Sequence, residues 1–444
     1  MASKPPRGPS GSPNTGAAVQ QAEQPDEQQV RMKDETLHDE TLHDETRLGH
    51  LGNDPHRHHG IVNPPVYHAS TILYPDYEAF KHRYDNDRRY TSVTYGLNGT
   101  PTTFALADAV AAIEGGHKAV VVSSGLASIT MPLCAFTQAG DHILMVDTAY
   151  GPTRNFCEKV LKRYGVETTY YDPRLGAGIQ KLFRDNTRVV FLESPGSLTF
   201  EMQDVPAIAQ AARARGIVTI LDNTWGTPLF FKPFEHGVDI SAHAGTKYIS
   251  GHSDVMLGVI TVDSEEHFRL IKDTVSQYGD CPGPDDCYLA LRGLRTMAVR
   301  LKQHEASALR VARWLQDRPE VKRVLYPALP EDPGHALWKR DFKGACGLFG
   351  VVLHTQDEAA GGRMIDGLKL FQIGASWGGY ESLVIPAWPN SQEQGGARSN
   401  ALRSATEWNE PGFLLRLHVG LEHPDDLIED LRRGFERMHA GPKG

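Results

Sequence analysis

The sequence predicts an α/β protein: a large domain whose mostly parallel sheet lies between helices, followed by a smaller C-terminal α+β domain. Three observations carry this reading. Short continuous apolar runs recur between about residues 119 and 223, amphipathic helical patterns separate them, and beyond residue 298 the regular alternation stops. Strands that are apolar without alternation must be covered on both faces, which is how parallel sheets are built.

The elements follow in order. TPTTFALADAVAAIEGG (Thr100 to Gly116) has apolar residues at helical spacing and stops at Gly-Gly, the expected end of a helix. AVVVSS (Ala119 to Ser124) is a β-branched run ending before Gly125, and GLASITMPLCAF reads as the helix after it. HILMVD (His142 to Asp147), RVVFLES (Arg188 to Ser194) and IVTILDN (Ile217 to Asn223) are further strands, with VPAIAQAARARG (Val205 to Gly216) a helix between the last two. VDISAHAG is a shorter run leading to Lys247. After LRGLRTM, the stretch VRLKQHEASALRVARWLQD predicts a long helix leaving the large domain. The remainder mixes strands (GLFGVVLHT, FLLRLHVGLE) with helices (EAAGGRMIDGLKLF, PDDLIEDLRRGFERM). The boundaries expected are a disordered leader over 1–46, an N-terminal arm over 47–100, the large domain over 101–298 and the small domain over 299–444.

Residues 1–33 are too rich in Pro, Gly, Ser, Gln and charge to bury a core. DETLH then repeats from Asp34 and Asp39, a period that suits neither helix nor solenoid. His56, His58 and His59 lack a carboxylate or cysteine at ligand spacing, so no metal site is expected there. Over 444 residues the net charge of -9 is dispersed and no Lys/Arg block occurs, which argues against nucleic-acid binding. The five cysteines form no Cys-x-x-Cys pair and suit a reducing cytosol. No apolar run of about 18 residues occurs, so a cytoplasmic protein away from membranes is expected.

Chemistry gathers at the strand ends, where open sheets place their functional loops. Gly125 opens a helix, and a helix N-terminus offers backbone N–H groups to a phosphate. Tyr150 follows the HILMVD strand. Asp222 ends the largely apolar run IVTIL, where an acid is costly without a cationic or proton-donating partner. Lys247 lies 25 residues further on, in HAGTKYISGHSD. A phosphate cup, an aromatic plate, a buried acid and a lysine are together what pyridoxal 5'-phosphate needs: the lysine joins its aldehyde as a Schiff base, and the acid keeps its ring nitrogen protonated.

FLESPGS (Phe191 to Ser197), LDNTW (Leu221 to Trp225), TKYISGHSD (Thr246 to Asp254), RGLRTM (Arg292 to Met297) and SWGGYESL (Ser376 to Leu383) closely resemble the Cys/Met-metabolism (trans-sulfuration) family of pyridoxal-phosphate-dependent enzymes. The resemblance runs from about Thr36 to the C-terminal helix and implies the fold-type I architecture. It implies that Lys247 carries the cofactor and moves the Cα proton, that Asp222 pairs with the ring nitrogen, and that Tyr150 stacks on the ring. Gly125, Leu126 and Thr246 would hold the phosphate. Arg416 would grip the substrate carboxylate, with Ser376 and Trp377 lining the substrate side. Tyr95 would reach a neighbouring subunit's site from the arm, implying a homotetramer built as a dimer of dimers.

Trp377 and the YGPTRNFC form around Tyr150 are similar to the β-lyase branch. That branch implies a lyase that splits cystathionine by α,β-elimination into homocysteine, pyruvate and ammonia, a step of methionine biosynthesis. Alternatives on the same residues are a γ-lyase, a γ-synthase, a cysteine-S-conjugate β-lyase or, remotely, a non-catalytic homologue. Two departures motivate the last. The family's phosphate-binding arginine is replaced by Leu97, and its serine three residues before the lysine by Ala244. Losing a charged hydrogen bond of about 1.5–3 kcal/mol would weaken cofactor binding about 10- to 100-fold. Arg88, Arg89, Asn98 and His243 are the candidates to replace it.

Overall fold

A computed structural model describes residues 42–389 and 403–440. The larger sheet holds β1 (Lys118–Val122), β2 (His142–Val146), β3 (Glu167–Tyr171), β4 (Thr187–Glu193), β5 (Val218–Asp222), β6 (Ile240–Ala244) and β7 (Gly258–Val262). Their order is β1-β7-β6-β5-β4-β2-β3. β3, β2, β4, β5 and β6 run parallel, as expected of continuous apolar runs crossed by helices. β7 runs antiparallel between β1 and β6, so the sheet is mixed.

Local signals set the elements between these strands. The helix Pro101–Glu114 has proline at its first position and Gly115 at φ 80° past its end, a conformation that costs glycine little. Ser124 caps the helix Gly125–Phe136 by accepting the N–H of Ala127. Helices pack against the larger sheet, and β2, β4 and β7 are buried almost throughout.

The long helix Met297–Gln316 leads to a second sheet of β8 (Val321–Leu325), β9 (Leu348–Leu353), β10 (Gln372–Ile373), β11 (Leu383–Ala387) and β12 (Phe413–His418), in the order β10-β11-β12-β9-β8. The helix Pro424–His439 packs on the helix Glu358–Asp366. That last helix is shorter than EAAGGRMIDGLKLF suggests. The N–H groups of Lys369, Leu370 and Phe371 turn instead onto the Asp430 carboxylate, at 2.9, 2.8 and 3.2 Å. A side-chain acceptor replaces the helical carbonyls, so the helix stops.

The leader expected over 1–46 ends earlier. A helix spans Asp44–His50, Leu48 is buried in the core, and Asp44 pairs with Lys232 at 2.9 Å. Burial of Leu48 and these polar contacts fix a turn that its composition alone does not predict. The first DETLH repeat lies outside the described residues.

The two sheets share one apolar core, in which Trp225 donates its indole N–H to Leu348 O at 3.0 Å. A polar clasp joins them as well. Asp147, just past β2, accepts from the backbone N–H groups of Ser404, Ala405 and Thr406 at 2.8, 3.1 and 2.8 Å. The hydroxyls of Ser404 and Thr406 and the Arg154 guanidinium complete its shell, at 3.1, 2.7 and 3.0 Å.

Candidate active site

The lysine sits in a loop folded onto itself after β6. Lys247 N–H donates to Ala244 O at 3.0 Å and Gly251 N–H to Lys247 O at 2.7 Å. From the long helix, Arg300 holds the same loop through Tyr248 O at 2.8 Å. The Lys247 ammonium donates to Ser376 Oγ at 2.5 Å and lies 5.5 Å from the centre of the Trp377 ring. Burial, together with the nearby Arg416 charge, pushes its pKa down to about 8, against the pull of Asp222. Below that pH the amine is protonated and inert, and above it the amine is free. Amine labelling of Lys247 in the cofactor-free protein therefore follows a midpoint near 8, where ordinary lysines give about 10.4. A labelling midpoint near the ordinary value would refute the burial argument.

Two carboxyls end adjacent strands. Asp222 of β5 and Glu193 of β4 are register partners. Asp222 accepts the hydroxyl of Thr224 at 2.5 Å and its N–H at 3.0 Å. Burial raises its pKa, and these bonds oppose the rise. Glu193 accepts the backbone N–H of Tyr150 at 2.6 Å. Burial, then the neighbouring Asp222, holds Glu193 well above the usual carboxylate range. Tyr150 precedes the helix Gly151–Lys159 and is 44% exposed. Its phenol is raised by burial and feels Asp222, Glu193 and Arg416, which places all four in one electrostatic neighbourhood.

The helix N-terminus that the sequence offered as a phosphate cup is narrow. A Cβ on Gly125 would lie 2.4 Å from the Cβ of Ala244, so only glycine fits there. The N–H groups of Gly125 and Leu126 have no helical carbonyl to meet, while Ser124 Oγ already caps Ala127 at 3.1 Å. Thr246 donates its hydroxyl to Leu257 O at 3.2 Å and must turn to face an anion. The four substitutes for the missing arginine fare unequally. His243 is buried against Glu114 Oε1 at 2.5 Å, facing the core. Arg89 pairs with Asp273 at 3.0 Å, and Asn98 donates to Thr94 at 2.9 Å. Arg88 is exposed. Tyr95 and Leu97 lie in the arm, and no hydrogen bond or ion pair among the described residues joins them to Lys247; Tyr95 is 48% exposed.

On the opposite wall, Arg416 of β12 donates to Ser376 O at 2.8 Å. Burial lowers its pKa to about 10, which leaves the guanidinium charged at neutral pH. Lys247, Ser376, Trp377 and Arg416 are thus brought together from the loop after β6, the turn after β10 and strand β12. Two contributors escaped the sequence reading. Glu193 gave the same signal as Asp222, an acid ending an apolar run, and Thr224 follows that acid by two residues.

The donor set fits a flat aldehyde-bearing ring with an anionic tail: a lysine, a buried acid, a part-exposed tyrosine, and a glycine-floored helix N-terminus. Comparison with known proteins agrees. A family model described as Cys/Met metabolism PLP-dependent enzyme matches residues 45–436. The cystathionine beta-lyase MetC of Escherichia coli is 42% identical, over 88% of this chain and 98% of its own. An L-alanine/L-glutamate racemase of Wolbachia pipientis is 41% identical, over 85% and 93%. The crystal structure of metB from Corynebacterium glutamicum matches with a TM-score of 0.81 at 30% identity, covering 90% of this chain and 99% of that one. A mixed sheet between helices, a matching structure and a family match over most of the chain place this protein in the Cys/Met-metabolism family of pyridoxal-phosphate-dependent enzymes, with fold-type I architecture.

Proposed function

We propose that this protein is a carbon–sulfur lyase that splits cystathionine by α,β-elimination. The observation that carries the reading is the amine of Lys247, with a pKa near 8, held between Ser376, Trp377 and Arg416. Gly125 and Leu126 would hold the cofactor's phosphate, with Thr246 once its hydroxyl turns from Leu257. Asp222 would hold the ring nitrogen and Tyr150 the ring face. When bound, pyridoxal phosphate supplies the electron sink that makes the Cα proton acidic.

The chain's own residues do the rest. Arg416 binds the α-carboxylate of the substrate, for which its planar fork is suited. Ser376 accepts from Lys247 Nζ and keeps the amine on the Cα side. Near neutral pH an amine of this pKa both takes and returns protons readily. Lys247 therefore takes the Cα proton and delivers one to the departing sulfur. Trp377 walls the site and limits water.

The test is product identity with cystathionine, cysteine, methionine and L-alanine as separate substrates. Pyruvate, ammonia and homocysteine from cystathionine are expected. Release of 2-oxobutyrate would mean γ-elimination and refute the reading. Interconversion of alanine enantiomers without any keto acid would assign the racemase reaction instead.

The proposed assembly is a homotetramer, a dimer of dimers. Ile61, Val62, Leu73 and Tyr77 of the arm are 58, 64, 89 and 73% exposed, apolar surface that a second subunit would cover, and Tyr95 would enter that subunit's site. No helix among the described residues is long and apolar enough to cross a membrane, and Cys134, Cys157, Cys281, Cys287 and Cys346 are free thiols. A cytoplasmic location is proposed on that cysteine usage.

A further inference from the structure

Behind the site, two buried histidines each keep one ring nitrogen without a partner. His304, in the helix Met297–Gln316, and His418, at the end of β12, are 0% and 1% exposed, with ring centres 5.4 Å apart. His304 Nδ1 donates to Val419 O at 2.8 Å, so its Nε2 is a bare acceptor, and it is unpaired. His418 Nε2 receives the N–H of Gly378 at 3.1 Å, so its own proton sits on Nδ1, also unpaired. Burial keeps both rings neutral, His304 at about 4 and His418 well below the ordinary value. Nε2 of His418 also lies 3.1 Å from Gly379 O, a bond open only to the other tautomer. The tautomer that accepts the Gly378 N–H carries its proton on Nδ1, whereas the other would donate to Gly379 O and leave the Gly378 N–H without this acceptor.

Gly378 is no passive contact. A Cβ there would lie 3.0 Å from Lys247 Cα, so the turn rests directly on the lysine's backbone. The same turn holds Ser376 at φ 81°, a rare conformation for a residue with a side chain. Strain of this kind persists only where the surroundings enforce it. Lys247 and Arg416 grip the turn at Ser376, and His418 grips it two residues later at the backbone of Gly378.

We propose that His418 is a positioning residue: by accepting the Gly378 N–H it fixes the strained turn that presents Ser376 to Lys247 and places Trp377. It acts through the turn and touches no reacting atom. The kinetic part of its test rests on the lyase reading, and the fluorescence part does not.

His418→Leu keeps an apolar side chain in the buried position but strands the Gly378 N–H. It is expected to raise KM for cystathionine about 10- to 100-fold, more than it lowers kcat. His418→Gln offers an amide oxygen to Gly378 and an amide N–H to Gly379 O, and is expected to return KM to within about threefold of wild type. In cofactor-free protein, iodide quenching of Trp377, isolated by subtracting the matching Trp377→Phe variant, should rise in H418L and return in H418Q. Unchanged KM and quenching in H418L would overturn the proposal, as would equal damage by H418L and H418Q. A wild-type protein inert toward cystathionine would defeat the lyase reading, while the quenching series still decides the role of His418.

Discussion

Lys247→Ala is expected to lower cystathionine turnover by about 10³-fold or more, the scale of losing a positioned general acid–base that also attaches the cofactor. The physical basis is its singular placement. The amine is buried enough to titrate near 8, donates to Ser376 and is flanked by the Arg416 charge. Steady-state kinetics give the rate, and intact mass after borohydride reduction gives the attachment. The wild type should retain one cofactor per chain through reduction and the variant none. The fold should be unharmed, because the loop is held by Arg300 to Tyr248 O and by its own backbone bonds, none of which uses the amine. A variant within tenfold of wild type would show that another group moves the Cα proton.

Asp147→Ala is expected to destabilise the protein by about 3–5 kcal/mol, the cost of breaking a buried ion pair from one side. Asp147 is fully buried, its partner Arg154 nearly so, and the variant leaves the Arg154 charge with Ser404 Oγ at 2.8 Å, the backbone O of residue 147 at 2.9 Å and the Tyr170 ring 3.7 Å away, none of them an anion. Three backbone N–H groups of residues 404–406 also lose their acceptor. Urea and thermal unfolding measure the change. Burial alone would raise the Asp147 pKa, but the Thr406 hydroxyl, the Ser404 N–H and Arg154 more than offset it, and the net shift is downward. The sign follows. A carboxyl depressed in the folded state adds stability above its ordinary pKa of 3.8, and the gain fades as pH falls through the folded value. Asp147→Asn should therefore show a shallower loss of stability in acid than wild type. A D147A protein as stable as wild type would mean that the clasp is solvated in solution.

Lys247, Asp222 and Tyr150 were candidates from the sequence because each stands after a strand or in a motif whose chemistry is local, whereas Arg416, inside β12, was singled out only by the family resemblance. An acid after a largely apolar run announces itself, and so does a lysine between Thr246 and Tyr248 in a glycine-bounded loop. The parallel strands β2, β4 and β5 were legible for the same reason, since continuous apolar runs admit few environments. β3 was not, because ETTYY is neither continuous nor strictly alternating, and its burial is partial. Nor was the antiparallel direction of β7, since no window of sequence states which neighbour a strand pairs with.

Tertiary structure alone decided which polar groups are available. His243 was one of four candidates to replace the phosphate-binding arginine, yet it bonds Glu114, 129 residues away in sequence. Asp147 read as the end of a strand, yet its shell comes from residues 257 to 259 positions further on. His418 read as part of a strand, and its purchase on Gly378 appears only when β12 lies beside the turn. A side chain's type is written in the sequence, but its role depends on which partner reaches it first in the folded core. There an unmet hydrogen bond costs about 1–3 kcal/mol, so the buried groups settle their partners by proximity across the whole chain.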